Sequence, residues 1–260
     1  MPFEYSPVAS AVLISVPHAG TVVPAGIAGT GTAWTQLPDT DWHVDRLVDF
    51  APNTGVGLIT ARQSRYVIDL NRPPDDQPLY AQVGTGLVPT ETFAGAALYE
   101  PGQLPGAGEK ARRIAEYWQP YHQKLQQELD RIRDRHGFAV LLDAHSIASR
   151  VPRLFDGRLP DLNLGTYSGE SCAPELEHSV AQLLTDAEGF TSVVNGRFQG
   201  GFITRHYGRP EQGIHALQLE IAQACYMDET DPTNWRPEKA APLQSLLRQL
   251  IRLLTEWRPA

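Results

Sequence analysis

Short continuous apolar runs, each bounded by turn residues, are the feature that most constrains the fold of this chain. A run that is apolar at successive positions predicts a strand buried on both faces, as in a parallel sheet covered by helices. Stretches with helical periodicity separate these runs. We therefore expect an α/β fold, a three-layer α/β/α sandwich around a mostly parallel or mixed sheet. The predicted strands cover residues 11–16, 56–60, 65–70, 138–144, 191–195 and 215–222.

The longest predicted helix covers residues 109–136, where apolar residues recur every three or four positions from Ile114 to Ile132. Gly137 predicts its end, and Pro120 predicts a kink or a break near its middle. Shorter helices are predicted over residues 41–51, 173–187 and 238–256.

The bulk composition favours one globular domain over residues 1–260. Hydrophobic residues make up 42% and charged residues 20%, as in an ordinary soluble protein. The formal net charge is −8 and no basic stripe is present, so nucleic-acid binding has no support and a small-molecule partner is expected. Oligomeric state cannot be read from the sequence.

Two further features indicate the compartment and the kind of metal site. The apolar run at 11–16 is too short to span a membrane and no positive charges precede it, so we expect a cytoplasmic protein without a membrane partner. Only two cysteines are present, Cys172 and Cys225, which excludes a disulfide scaffold and a four-cysteine zinc site. Any metal must be bound by histidine and carboxylate.

Polar side chains stand at the carboxyl ends of three predicted strands, where ligands bind in open α/β sheets. His18 follows the first strand in SVPHAG, His145 ends another in DAHS, and Glu220 lies inside the last. A simple strand cap would explain DAHS taken alone. A structural ion pair with an arginine would explain Glu220, because a lone buried carboxylate costs several kcal/mol.

An aspartate at a predicted helix start completes a possible metal site. In DTDWHVDRL, Asp41 and Asp45 are four positions apart on one helical face, and Asp39 or Asp41 alone would be explained as an N-cap. Together with His18 and His145, Asp41 makes two imidazoles and one carboxylate. This is the ligand set of a catalytic zinc with an open position.

Arginines in two segments are candidates for binding an anionic substrate. Arg65 and Arg72 flank the predicted strand at 65–70, and Arg72 opens a long Gly- and Pro-rich loop over residues 73–105. Such an arginine can bind a carboxylate through two hydrogen bonds, although arginines at strand ends are often only solvated. Residues 195–208, which include Arg197 and Arg205, predict a hairpin-like segment that either closes over an anion or forms a surface ribbon.

The motifs SVPHAG, DTDWHVDRL, SRYVIDLNRPP, LLDAHS, RLFDGRLPDLNLGT, GGFITRHYG and HALQLEIAQ, in this order, resemble the N-formylglutamate amidohydrolase family. The resemblance covers residues 11–229. It implies a zinc carboxypeptidase-like or aspartoacylase-like fold and a metal-dependent amide hydrolase that converts N-formyl-L-glutamate and water to formate and L-glutamate in histidine degradation. Zinc is the implied metal, with cobalt, manganese or iron as alternatives.

The resemblance also implies roles for individual residues. His18 and His145 match the first and last metal ligands, and Glu220 matches the general base. Thr21 stands where the carboxypeptidase group has a glutamate ligand, so the acidic ligand is assigned to Asp41, with Asp45 as the alternative.

Substrate binding is assigned in the same way. Asn71 and Arg72 match the pair that binds a substrate α-carboxylate, and Arg205 or Arg65 is expected to bind the side-chain carboxylate. Asp143 is expected to orient His145. A related zinc deacylase or carboxypeptidase, acting on another N-acyl amino acid, and a non-catalytic dicarboxylate-binding module remain the alternatives.

Overall fold

A mixed sheet of seven strands organises the part of the chain that the computed structural model describes, which is residues 1–27, 29, 31–77 and 85–260. The strand order is β1-β3-β2-β4-β7-β5-β6. β1 pairs with β3 and β5 pairs with β7 in antiparallel fashion, and the other four pairs are parallel. The strands are β1 (Phe3–Ser6), β2 (Val12–Val16), β3 (Gly57–Ala61), β4 (Ala139–Ile147), β5 (Leu162–Gly165), β6 (Ser192–Val194) and β7 (Ile214–Ala222).

Helices flank this sheet, so the prediction of an α/β fold with a mixed sheet is confirmed. Within the described residues the α-helices are α1 (Ala33–Gln36), α2 (Val44–Leu47), α3 (Ala107–Arg113), α4 (Gln119–His136), α5 (Pro174–Thr185), α6 (Phe202–Tyr207) and α7 (Pro237–Glu256). α4 contacts β2 and β4, and α6 contacts β4 and β7. α7 packs against α2 and α5, and Trp257 after its end contacts His215, which points to the opposite face of β7 from Glu220.

The predicted long helix is present, and its hydrogen-bond pattern changes next to Pro120. A π-helical turn, Ile114–Trp118, joins α3 to α4 immediately before the proline. Proline has no N–H to donate to the preceding turn, so the wider π-helical spacing accommodates it. Gly137 ends α4 with φ +83°, and its N–H donates to the Arg133 carbonyl at 2.7 Å.

The predicted strand over residues 65–70 is wrong. These residues are buried, but their backbone makes turns instead of pairing with a neighbouring strand. The Val67 N–H donates to the Ser64 carbonyl at 2.9 Å, and the Asn71 N–H donates to Asp69 Oδ1 at 2.9 Å. A buried apolar run is compatible with a strand and with a covered turn, and the apolar pattern does not distinguish them.

Two other predicted segments take a different form. The helix expected over residues 41–51 is reduced to α2, because His43 before it has φ +62°, outside the helical region. The hairpin expected over residues 195–208 is wrong, since its second half forms α6. The loop predicted over 73–105 contains no helix or strand in its described parts, 73–77 and 85–105, and residues 78–84 lie outside the described residues.

The two cysteines are free thiols, Cys172 buried and Cys225 partly buried. Among the helices of the described residues, none is both long enough and apolar enough to cross a bilayer.

Candidate active site

The carboxyl ends of three neighbouring parallel strands bring the predicted polar residues together. In the register of β2, β4 and β7, Ser15 pairs with Asp143, and His145 pairs with Glu220. His18 lies two residues beyond the end of β2. The parallel arrangement therefore positions distant sequence segments at one edge of the sheet.

His18, Asp41 and His145 form a buried cluster at this edge. Asp41 Oδ2 lies 3.0 Å from His145 Nδ1 and 3.8 Å from His18 Nδ1. One ligand atom from each residue lies within 4.8 Å of the others. The buried Nδ1 of His18 has no hydrogen-bond partner. Two imidazole nitrogens and one carboxylate oxygen in a buried site fit a divalent cation such as Zn²⁺. Asp45, the alternative acidic ligand, is exposed on α2 and does not join the cluster.

Each histidine of the cluster also contacts a second carboxylate through its Nε2 atom. His18 Nε2 lies 2.8 Å from Asp69 Oδ1, and His145 Nε2 lies 2.8 Å from Asp143 Oδ2. Histidines that bind a metal usually donate their other N–H to a carboxylate, which fixes the tautomer and directs the free nitrogen to the metal. The contact between Asp143 and His145 was expected from the sequence. Asp69 was missed, although an aspartate within a buried apolar run was a visible signal.

Arg65 compensates part of the negative charge around the cluster. Its Nη2 lies 2.8 Å from Asp69 Oδ2, and its Nη1 lies 3.4 Å from Asp41 Oδ1. In the form that binds a metal, with both imidazoles neutral, the three carboxylates Asp41, Asp69 and Asp143 against one guanidinium leave a formal charge of −3 + 1 = −2. Buried charge of this size requires compensation, and a divalent cation would supply it.

The pKa shifts of His145 and Asp69 agree with a site that favours positive charge, whereas burial and Arg65 lower the pKa of His18. Burial lowers the pKa of His145, but Asp143 and Asp41 outweigh burial and raise it well above its ordinary value. Burial alone would raise the pKa of Asp69, but His18 and Arg65 hold it well below its usual range. The carboxylates would therefore favour a cation at the position where Asp41 meets the two imidazoles.

Glu220 is buried beside this cluster, and burial raises its pKa to about 8. Gln218 Nε2 donates to Glu220 Oε2 at 3.4 Å. Among the described residues no lysine or arginine forms a salt bridge with Glu220, so a structural ion pair is not what explains this carboxylate. It lines a cavity next to the histidines.

The cavity wall combines cationic and apolar side chains. His18, His145 and Glu220 line it together with three arginines and several apolar residues. The arginines are Arg65, Arg72 and Arg197, and the apolar residues include Phe93, Ile147, Leu154 and Phe198. Arg72, which was predicted to bind a carboxylate, donates from Nε to the Thr85 carbonyl at 2.8 Å and from Nη1 to the Asn71 carbonyl at 3.1 Å. Arg197 was noted in the sequence only as part of the segment at 195–208.

Asn71 connects the cavity to the metal cluster. Its side-chain amide donates to Asp143 Oδ2 at 3.2 Å, and its Oδ1 accepts the Ile203 N–H at 2.8 Å. These contacts fix its position between β4 and α6. The side chain lines the cavity, but its described hydrogen bonds are made with other groups of the protein.

Arg205 does not line the cavity, unlike the other predicted substrate-binding residues. Its Nε donates to the Gly200 carbonyl at 2.8 Å, and its guanidinium lies 4.6 Å from the centre of the Tyr167 ring. It is placed there because the segment that carries it is helical, which turns its side chain toward the loop before α6.

Known proteins resemble this chain in sequence and in structure. The family model described as N-formylglutamate amidohydrolase matches residues 10–227. The N-formylglutamate deformylase of Pseudomonas putida is 49% identical over 247 residues, which are 95% of this chain and 92% of that protein. The N-formylglutamate deformylase of Pseudomonas aeruginosa is 51% identical over 247 residues, with 95% and 93% coverage.

Two crystal structures share the fold. That of N-formylglutamate amidohydrolase from Ralstonia eutropha JMP134 superposes with a TM-score of 0.85 at 28% identity, covering 98% of this chain and 97% of that chain. That of a gene product from Agrobacterium tumefaciens superposes with a TM-score of 0.70 at 17% identity, covering 97% of this chain and 92% of that chain, and at this identity it reports on the fold alone.

Proposed function

The chain belongs to the N-formylglutamate amidohydrolase family, and on this basis we propose that it hydrolyses N-formyl-L-glutamate to formate and L-glutamate. The observation that carries the proposal is the buried cluster of His18, Asp41 and His145 beside Glu220 in a cavity that arginines line. An amide is a poor electrophile, so its hydrolysis requires activation of the carbonyl, a proton acceptor for water and a proton donor for the amine.

His18, Asp41 and His145 would hold a divalent metal ion, with zinc as the leading candidate. The unpartnered Nδ1 of His18 and the formal charge of −2 around the cluster support this assignment. A bound Zn²⁺ supplies a Lewis acid that polarises a carbonyl and makes water more acidic. Ligands at the strand ends of a mixed sheet also support the carboxypeptidase-like or aspartoacylase-like fold that the resemblance implies.

Glu220 would transfer the proton between water and the leaving amine. Its carboxylate accepts a proton from the attacking water, and the same carboxyl group then donates that proton to the amide nitrogen as the C–N bond breaks. A pKa raised by burial to about 8 suits a group that must both accept and release a proton near neutral pH. A cation held by the neighbouring cluster would favour the ionised form that begins the reaction.

Arg72 would bind the α-carboxylate of the substrate, with Asn71 fixing its position. The guanidinium of Arg72 donates to the backbone carbonyls of Thr85 and Asn71. The side-chain amide of Asn71, the preceding residue, donates to Asp143, which also contacts His145. This arrangement supports a substrate orientation in which the α-carboxylate lies at Arg72 and the formyl group lies at the histidines. Binding in a fixed orientation lowers the entropic part of the barrier.

The test is formate release from N-formyl-L-glutamate by the purified protein, before and after chelator treatment and after addition of Zn²⁺, Co²⁺ or Mn²⁺. We expect activity that the chelator removes and a metal restores. N-acetyl-L-aspartate and short peptides, assayed in parallel, examine the related deacylase and carboxypeptidase activities. A protein that binds N-formylglutamate but hydrolyses none of these compounds would be a dicarboxylate-binding module, and the proposal would be wrong.

Glu220→Gln separates the role of Glu220 from that of the metal site. The amide keeps the size of the side chain but cannot accept the proton of water, so kcat should fall by about 100- to 10,000-fold. Metal content should stay equal to that of the wild type. A variant that keeps wild-type kcat would remove Glu220 from the mechanism.

A further inference from the structure

We propose that Arg197 binds the side-chain carboxylate of the substrate and thereby determines the preference for an acidic side chain, an inference that rests on the proposed function. The sequence had suggested Arg205 or Arg65 for this role. Arg197 lines the cavity, whereas Arg205 does not.

The charges in the cavity wall distinguish among its three arginines. Arg65 lies between Asp41 and Asp69, at 3.4 and 2.8 Å, and so belongs to the charge balance of the metal cluster. Arg72 and Arg197 come from different segments of the chain and line the same cavity. They supply one guanidinium for each carboxylate of a dianionic substrate, which is the charge match that specific binding requires.

The contacts of Arg197 hold its guanidinium in the wall of the cavity. Its Nε donates to the Leu154 carbonyl at 2.7 Å, and the guanidinium lies 5.4 Å from the centre of the Phe198 ring. Leu154 and Phe198 line the cavity as well. A guanidinium that is oriented through Nε and packed on an aromatic ring is preorganised, so binding a carboxylate costs less conformational entropy.

The neighbours of the two arginines suit the two ends of the substrate. In the substrate, the α-carboxylate is attached to the same carbon as the formamide nitrogen, so it must lie close to the metal cluster. Arg72 suits this position because Asn71, the residue before it, donates to Asp143, which contacts His145. The side-chain carboxylate lies two methylene groups farther along. Arg197 contacts Leu154 and Phe198, two apolar residues of the wall that those methylene groups can contact.

Arg205 contacts the segment that follows Arg197 and does not line the cavity. It donates to the Gly200 carbonyl and lies on Tyr167, whose backbone N–H donates to the Gln199 carbonyl at 2.6 Å. These contacts fix the loop between Arg197 and α6. Arg205 is therefore a positioning residue.

The experiment compares N-formyl-L-glutamate with N-formyl-L-glutamine, which has the same shape without the side-chain charge. In Arg197→Gln, kcat/KM for N-formyl-L-glutamate should fall by about 10- to 100-fold, mainly through KM, because one charge-assisted contact is lost. The loss for N-formyl-L-glutamine should be at least about ten times smaller. Arg197→Lys, which keeps the charge but not the paired hydrogen bonds, should restore part of the preference.

Arg72→Gln is the matched control, since both substrates carry the α-carboxylate. It should lower kcat/KM for the two substrates by the same factor. Equal losses for both substrates in Arg197→Gln, or a preference equal to that of the wild type, would overturn the role of Arg197 while leaving the proposed function in place. A wild-type protein that hydrolyses neither substrate would overturn the proposed function, and the assignment of Arg197 with it.

Discussion

Asp69, which was not predicted from the sequence, connects three parts of the candidate site. Its carboxylate contacts His18 at 2.8 Å and Arg65 at 2.8 Å, and it accepts the backbone N–H of Asn71 at 2.9 Å. It is fully buried. One side chain thus orients a candidate metal ligand, places the compensating arginine and closes the turn that leads to Arg72.

Asp69→Asn should weaken metal binding by about 10- to 100-fold, because the amide cannot both hold the N–H of His18 and neutralise Arg65. The measurement is a competition titration of the apoprotein with a coloured zinc chelator. Asp45→Asn, the same change at the exposed position on α2, is the control and should bind zinc like the wild type. Wild-type affinity in Asp69→Asn, or an equal loss in Asp45→Asn, would contradict this account of the site.

The sequence was sufficient to select the three residues of the cluster, His18, Asp41 and His145, and Glu220 beside it. His18 and His145 follow or end apolar runs, and Glu220 lies near the carboxyl end of the last one. Parallel strands bring such ends together, so the proximity of these residues could be predicted before the structure. Asp69 and Arg197 could not be selected in this way. Their positions depend on a buried turn and on the loop before a short helix, and neither has a hydrophobic period that identifies it.

At the scale of elements, continuous apolar runs predicted β2, β3, β4, β6 and β7. β1 and β5 were missed because each has only four residues, and their sequences, FEYS and LNLG, mix polar and apolar side chains. β1 pairs with β3 in antiparallel fashion at one edge of the sheet, and β5 lies between β7, its antiparallel neighbour, and β6, its parallel neighbour. A short strand of this kind is stabilised by its neighbours more than by its own sequence.

The start of α6 depends on a close approach that only glycine permits. A Cβ on Gly201 would lie 2.3 Å from Asn71 Nδ2, and the Gly201 N–H donates to Gln218 Oε1 at 2.7 Å. The helix therefore packs directly on the side chain that connects the cavity to Asp143. A larger residue must displace either the helix or Asn71.

Gly201→Ala should lower the free energy of unfolding by about 1–3 kcal/mol, as expected for overpacking at a buried contact. Urea unfolding followed by circular dichroism measures the change. Gly108→Ala in α3 is the control, because a Cβ there meets no atom within 4 Å. Gly108 is the second residue of α3, where the preference for alanine over glycine is smaller than in the middle of a helix, so that variant should gain less than about 0.5 kcal/mol. Equal effects of the two substitutions would contradict the close contact at Gly201.

At the scale of the whole molecule, His122 joins three separate parts of the chain. From α4, its Nε2 donates to the Leu70 carbonyl at 2.9 Å, and its Nδ1 lies 2.9 Å from the hydroxyl of Tyr207 on α6. Its ring stacks on Trp118 with 3.8 Å between the ring centres. The imidazole links the long helix to the turn before Arg72 and to the helix that packs on Asn71.

The buried imidazole should make the fold sensitive to acid. Burial lowers the pKa of His122 from its ordinary value of 6.5 to about 3, so between these values the unfolded chain binds a proton that the folded chain does not. Stability from this group is therefore complete above pH 6.5 and decreases as the pH falls toward 3. At pH 5 the loss amounts to about 2 kcal/mol.

His122→Gln removes the titrating group and should flatten this dependence. In chelator-treated protein, the free energy of unfolding of the wild type should decrease by about 2 kcal/mol more between pH 7 and pH 5 than that of the variant. His178→Gln, which replaces an exposed imidazole on α5, is the control and should follow the wild type. If His122→Gln and the wild type lose stability in parallel over this range, His122 does not remain neutral in the folded protein. The acid sensitivity of the contact between α4, α6 and the cavity would then have to come from another group.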